Sequence, residues 1–178
     1  MIYFFRTMLK PQDILLLLKL HIQEGRQAPY AQLARELGIS SSEVFAGVQR
    51  LVSSRLIDST SAKPRRQLLA NFLIHGVCYL VPAELGGSTR GFPTAYAVSP
   101  LRDLIVTQET DLPVWPDPLG THRGFSLSPL YSSVPYAAQK DLALYEYLAL
   151  IDALRLGDAR LGKLAEAELR QRLETVSS

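Results

Sequence analysis

Apolar residues recur along this chain mostly at the helical period. Ile14, Leu15, Leu17, Leu18 and Ile22 form a broad apolar face. They follow Lys10-Pro11-Gln12-Asp13, where proline suits a first helical turn and Asp13 the positive helix end, so a helix is predicted from Pro11 to near Gly25. Leu33, Ala34 and Leu37 fall at i, i+1 and i+4, and Gly38 follows as a left-handed stop that ends a second helix at Leu37. Ser40 and Glu43 spell a capping box that opens a third helix. There Val44, Val48 and Leu51 point inward, while Ser41, Ser42, Phe45, Ala46, Gln49, Arg50 and Ser53 point away.

After Ile57 the pattern lengthens. Asp58 to Pro64 is a Ser/Thr-rich linker, and Leu68, Leu69, Phe72, Leu73 and Ile74 predict an inserted helix over 66–75 that Gly76 stops. Val77 to Val81 is a β-branched and aromatic run suited to a strand, Pro82 to Pro93 a loop, and Thr94 to Val98 a returning strand. Residues 99–136 carry six prolines, with Trp115, Phe125, Tyr131 and Tyr136 among them. Long regular elements are unexpected in such a segment, and its aromatics argue for an ordered extended arm on the core or on a second subunit. Leu144, Leu148, Ile151 and Leu154 restore the helical period, Gly157 breaks it, and Asp158 caps a last helix carrying Leu161, Leu164, Ala165, Leu169 and Leu173.

The second and third helices, YAQLARELGISSSEVFAGVQRLVSSRLI from Tyr30 to Ile57, carry a resemblance. Tyr30-Ala31-Gln32-Leu33-Ala34, Leu37-Gly38-Ile39-Ser40, Ser42-Glu43-Val44 and Arg50-Leu51 with Leu56-Ile57 resemble the winged helix-turn-helix domains of MarR-like bacterial transcription regulators. The likeness covers less than a third of the chain and identifies a superfamily. Arg55 stands where such domains usually carry a helix-ending glycine, so that stop must be strained or built differently. The resemblance implies a mainly α (α+β) fold in three parts. Residues 1–98 would form the winged helix-turn-helix domain with the inserted helix 66–75, residues 99–136 the Pro-rich arm, and residues 137–178 a helical dimerisation or partner region.

It also implies double-stranded DNA as the partner, with the helix over residues 41–54 in the major groove. Gln49 would then pair with adenine. Arg50 would pair with guanine, or else reach a phosphate or a nearby carboxylate such as Glu43. Phe45 and Ala46 would face a thymine methyl, and Tyr30, Ser41, Ser42, Arg65 and Arg66 would meet phosphates. Arg90 would be the tip charge of a two-stranded wing, unless that loop merely packs on the protein. One such helix reads few base pairs, so a homodimer through residues 137–175 is expected, although the same helices could complete the monomer core.

Composition adjusts this picture in places. The chain of 178 residues is 47% hydrophobic and 20% charged, which argues for a folded protein. Residues 1–75 hold 10 basic and 5 acidic side chains and the remainder 9 and 12, so the overall +2 hides a positive half that coincides with the helix-turn-helix. The single Cys78 excludes an internal disulfide and a cysteine-rich zinc site, and fits a reducing cytoplasm as a buried thiol. Neither Ile2-Tyr3-Phe4-Phe5 nor Ile14 to Leu20 is long enough to span a membrane, and Met8 is read as the functional start, with residues 1–7 an extension.

Enzyme signatures are weak. The Gly-rich stretch Gly86 to Gly91 lacks the Lys-Ser/Thr ending of a phosphate-binding loop, and His21, His75 and His122 have no metal-ligand spacing. No metal, cofactor or catalytic residue is expected. Beside the DNA-binding regulator stands a second reading, an antitoxin-like or adaptor protein whose C-terminal helices bind another protein such as a toxin.

Overall fold

One helix buried on nearly every side is the axis of the fold. The computed structural model describes residues 8–23, 26, 28–105 and 112–175; the patch Ile2 to Phe5 and the expected helix stop at Gly25 lie outside them. In α1 (Pro11–Ile22) every residue from Gln12 to His21 is buried, so its polar members need internal partners. Asp13 accepts from the Lys10 backbone N–H at 2.8 Å. Lys19 lies 2.8 Å from Glu36 and 2.7 Å from Asp141. His21 meets the Tyr147 hydroxyl at 3.2 Å with the two rings edge to face. Burial alone would lower the Lys19 amine, but its two carboxylate partners outweigh that and raise it.

α2 (Tyr30–Leu37) and α3 (Ser41–Ser53) lie where the apolar spacing puts them. Gly38 takes the left-handed conformation at φ +66°, and a Cβ there would fall 2.9 Å from the Tyr136 ring, so this corner requires glycine twice over. Ser40 accepts from the Glu43 N–H at 3.1 Å. Glu43 does not complete the capping box, because its carboxylate is turned to Gln12 and Arg50.

The end of α3 is a two-bond Schellman stop built around Arg55 at φ +59°. Arg55 N–H donates to Val52 at 2.9 Å and Leu56 N–H to Leu51 at 3.0 Å. A side chain in this region costs about 1 kcal/mol. Arg55→Gly is therefore expected to raise stability by about 0.5–1 kcal/mol in urea unfolding. An unchanged or lower midpoint would mean that the arginine side chain contributes something glycine cannot replace.

α4 (Arg66–His75) is the inserted helix, but the strands expected after it are not there. The chain continues through Gly76 into α5 (Val77–Leu80), and residues Ala95–Ala97 form a 3-10 turn, so the wing over 77–98 is corrected on both sides. The expected loop is instead strand β1 (Leu85–Pro93). A short helix α6 (Leu101–Leu104) follows, and the partner strands β2 (Pro113–Pro116) and β3 (His122–Leu127) come from the Pro-rich segment. That segment is thus woven into a sheet, not wrapped as an extended arm. β1 runs antiparallel to both, β2 and β3 pair in parallel, and the three strands close on one another. A Cβ on Gly91 would fall into the Trp115 carbonyl and one on Gly124 into the Leu112 carbonyl, so backbones approach here as only glycine allows.

α7 (Val134–Lys140), α8 (Leu142–Arg155) and α9 (Ala159–Thr175) complete the fold. Gly157 breaks the run at φ +74°, and Asp158 accepts from the Leu161 N–H at 2.7 Å. Leu161, Ala165, Leu169 and Leu173 are buried against α8 and α4, so the apolar stripe of the last helix is used within the chain. One hydrophobic cluster joins α1, α2, α3, α4, the sheet through Trp115, and α7 to α9. The molecule is mixed helix and strand, with a small three-stranded sheet. Among the described residues no helix is long and apolar enough to cross a membrane.

Candidate nucleic-acid interface

The outward face of α3 is exposed as its spacing requires. Ser41, Ser42, Phe45, Gln49 and Ser53 are exposed and Ala46 is half-buried. Tyr30 opens α2 beside them, its ring tilted against that of Phe45 at 6.2 Å, and Phe45 keeps 55% of its surface in solvent. Tyr30, Ser41, Ser42, Phe45, Ala46 and Gln49 therefore share one surface made by the start of α2 and the outer side of α3.

Arg50 does not belong to that surface. It is 4% exposed, and its guanidinium forks onto Asp13 with two hydrogen bonds of 2.7 Å. Glu43 takes a further bond from the same Nη2. Arg50 follows Gln49 by one helical step of about 100°, which turns it from the outer face toward α1. The base or phosphate contact expected of it is corrected to an internal ion pair, on the carboxylate side of the options its position allowed. Asp13 raises the Arg50 guanidinium further above its ordinary value.

The segment after α3 is more ordered than a linker. Ile57 and Pro64 form an antiparallel bridge, and Asp58 N–H donates to the Lys63 carbonyl at 2.9 Å. The Asp58 carboxylate accepts from Thr60 N–H and Ser61 N–H, both at 3.0 Å, and from the Ser61 hydroxyl at 3.1 Å. The backbone bonds from Ser61 and Thr60 hold that carboxyl below its usual range. Arg65 lies 3.7 Å from Asp58, and Arg65 and Arg66 are exposed at the foot of this loop.

Between the loop, the start of α2 and the end of α3 is an open cleft of about 610 Å³, with Leu33, Val48 and Val52 as floor and Arg26, Tyr30, Gln49 and Thr60 among its walls. The exposed Arg26 and the residues Ser59 and Thr60 extend the polar surface beside α3, and Lys63 is exposed on the same loop. Sequence reasoning passed over them because a Ser/Thr-rich stretch reads as linker until its hydrogen bonds are seen. The acids of this region face inward or into their own turn: Glu36 to Lys19 and Gln32, Glu43 to Arg50 and Gln12, Asp58 to its loop.

Arg90 is elsewhere. It lies on β1, and the sheet packs through Trp115 and the 3-10 turn on α8, whereas α3 packs on α1 and α2. Its placement on a wing beside α3 is corrected accordingly.

The C-terminal helices also reach the turn between α2 and α3. The Tyr136 hydroxyl donates to the Arg35 carbonyl at 3.0 Å, and Lys140 sits 3.9 Å above the Tyr136 ring. These contacts, with Lys19 between Glu36 and Asp141, tie α2 to the α7–α8 corner. Among the described residues no group of His, Cys, Asp and Glu could hold a metal ion. Comparison with protein-family models, curated proteins and solved structures finds no match to this chain.

Proposed function

We propose that this protein is a sequence-specific DNA-binding transcriptional regulator of the winged helix-turn-helix kind, acting as a homodimer with α3 in the major groove. The observation that carries the reading is the exposed face of α3: Ser41, Ser42, Phe45 and Gln49 project from it with no described segment packed over them, while the acids around it are engaged elsewhere. A helix that offers a bidentate amide, small hydroxyls and an apolar ring on one exposed strip has the donors, acceptors and methyl contact that base edges require. Arg26 lines the cleft beside Gln49, and Lys63 and Arg65 are exposed on the loop that follows α3, positive charge that suits phosphates. Arg66, expected among the phosphate contacts, instead lies against Arg170 and Glu174 of α9. The short loop from Ile57 to Pro64 occupies the place after the third helix where a wing would begin.

Gln49→Ala is expected to cost about 1–3 kcal/mol on the preferred site and to relax its sequence preference, read by gel shift against the upstream region of the gene at two salt concentrations. Equal losses on specific and random DNA would remove Gln49 as a base reader. The homodimer is tested by light scattering; a monomer at tens of micromolar counts against it.

A second reading has its own observation. An exposed Phe45 beside an exposed Tyr30 is also an anchor pair for a protein partner, as an adaptor or antitoxin-like protein would present. Salt-sensitive, sequence-dependent retention of DNA separates the first reading from this one.

A further inference from the structure

Arg90 of β1 and Arg123 of β3 are direct cross-strand partners, and both are exposed. Residues directly opposed in an antiparallel pair project to one face with Cβ atoms about 5 Å apart, and like charges so placed destabilise the pair. No ion pair joins either arginine to a carboxylate among the described residues. Arg90 has one long contact, to the Gly120 carbonyl at 3.5 Å. Asp117, whose N–H donates to the Arg90 carbonyl, turns its own carboxylate to the Leu119 N–H at 2.8 Å. The pair sits on a continuous register from Ser88 to Gly91 against Phe125 to His122, where a Cβ on Gly91 or Gly124 would run into neighbouring backbone.

We propose that Arg90 and Arg123 form a fork that binds a phosphate of a nucleic-acid backbone, at a surface separate from α3. Two adjacent guanidiniums offer planar donors to several oxygens of one anion, and an anion between them converts their repulsion into attraction. The same face favours a phosphodiester chain over an acidic peptide. Ser88 lies two residues along β1 on the arginine side, about 7 Å away by the strand rise, and opposite it the half-buried ring of Phe125 offers a surface to a base. α3 packs on α1 and α2, and the sheet reaches α8 through the 3-10 turn and Trp115, so the fork and α3 belong to different parts of the fold. The fork stands whether or not α3 reads bases.

The test uses the full chain and its Arg90→Gln/Arg123→Gln variant, with anisotropy of a labelled random-sequence duplex, a labelled single strand and labelled polyglutamate over a range of salt. The slope of log affinity against log salt should become shallower by about 0.9 per lost contact on the duplex, or about 0.7 on the single strand. The unfolding midpoint should hold or rise, because a repulsion is removed. Unchanged slope and affinity on both nucleic-acid probes in the folded variant overturn the proposal. So does a parent protein that binds neither of them at low salt, or a loss confined to the polyglutamate probe. If the double substitution flattens the slope while Gln49→Ala leaves sequence preference intact, the fork is supported and the reading of α3 fails instead.

Discussion

Replacing Asp152 by alanine is expected to cost about 3–5 kcal/mol of stability, more than any surface change in the molecule. Asp152 is 1% exposed and sits where three parts of the chain meet. Its Oδ2 accepts from the Thr94 hydroxyl at 2.7 Å and from the Trp115 indole N–H at 2.6 Å, and its Oδ1 accepts from Arg155 at 2.6 Å. The same guanidinium donates to the carbonyls of Val81 at 2.8 Å, Ser128 at 2.9 Å and Pro82 at 3.0 Å. Burial pushes the Asp152 carboxyl above its ordinary value, while the Arg155 guanidinium and the Thr94 and Trp115 donors pull the other way. Without the carboxylate, a buried cation and two buried donors lose their acceptor, and that uncompensated desolvation sets the size of the effect. Trp115 is the sole tryptophan, so its emission reports on this junction directly. Asp152→Ala should shift the native emission as well as the urea midpoint. A loss below about 1 kcal/mol with unchanged emission would mean the pair behaves like a solvated surface bridge.

That junction also marks where sequence reading stopped. The helices around it were legible because each shows its own face: Leu33 and Leu37 before Gly38, Val44 and Leu51 after Ser40, Leu161 and Leu169 after Asp158. The sheet was not. β1 runs Leu-Gly-Gly-Ser-Thr-Arg-Gly-Phe-Pro, without alternation, and its partners come from a proline-rich segment more than twenty residues away. What makes it a strand is the close backbone approach that glycine allows, a property of three segments together. Val77 to Val81 failed in the opposite direction. Its β-branched composition favours a strand, but Val77 is buried at the start of the short helix that follows the Gly76 turn, and the Val81 carbonyl is taken by Arg155. Tertiary contacts overrode a weak local preference. At the α3 surface the spacing placed Ser41, Ser42, Phe45 and Gln49 outward as found, and misplaced Arg50, because a basic residue at the edge of a helical face faces solvent or core according to what the neighbouring helix offers.

What α1 offers is Asp13, and Asp13→Ala is expected to destabilise the protein by about 3–5 kcal/mol, with Arg50→Ala on the same scale. The pair is 1% and 5% exposed at its side chains, and its two bonds are of the parallel, charge-assisted kind. Gly47 lets the helices close on it: a Cβ there would lie 2.9 Å from both Asp13 Oδ1 and the Leu16 side chain. Glu43 is held in the same cluster. Burial would lift its carboxyl, but hydrogen bonds from Arg50 and Gln12 outweigh this and keep it below the usual range. A depressed carboxyl stabilises the fold above its unfolded-state value and loses that contribution as pH falls, so the cluster weakens in acid. Functionally, the ion pair fixes the angle at which α3 leaves α1, and with it the direction in which Gln49 points. Arg50→Ala should therefore lower the unfolding midpoint sharply and, on the proposed reading of α3, reduce binding to specific and random DNA together, as the folded fraction falls. Gln49→Ala should leave stability within about 0.5 kcal/mol and alter only the preference. An Arg50→Ala protein that kept its midpoint while losing discrimination at one base pair would put the guanidinium on DNA, and the internal pair could not then be what orients the helix.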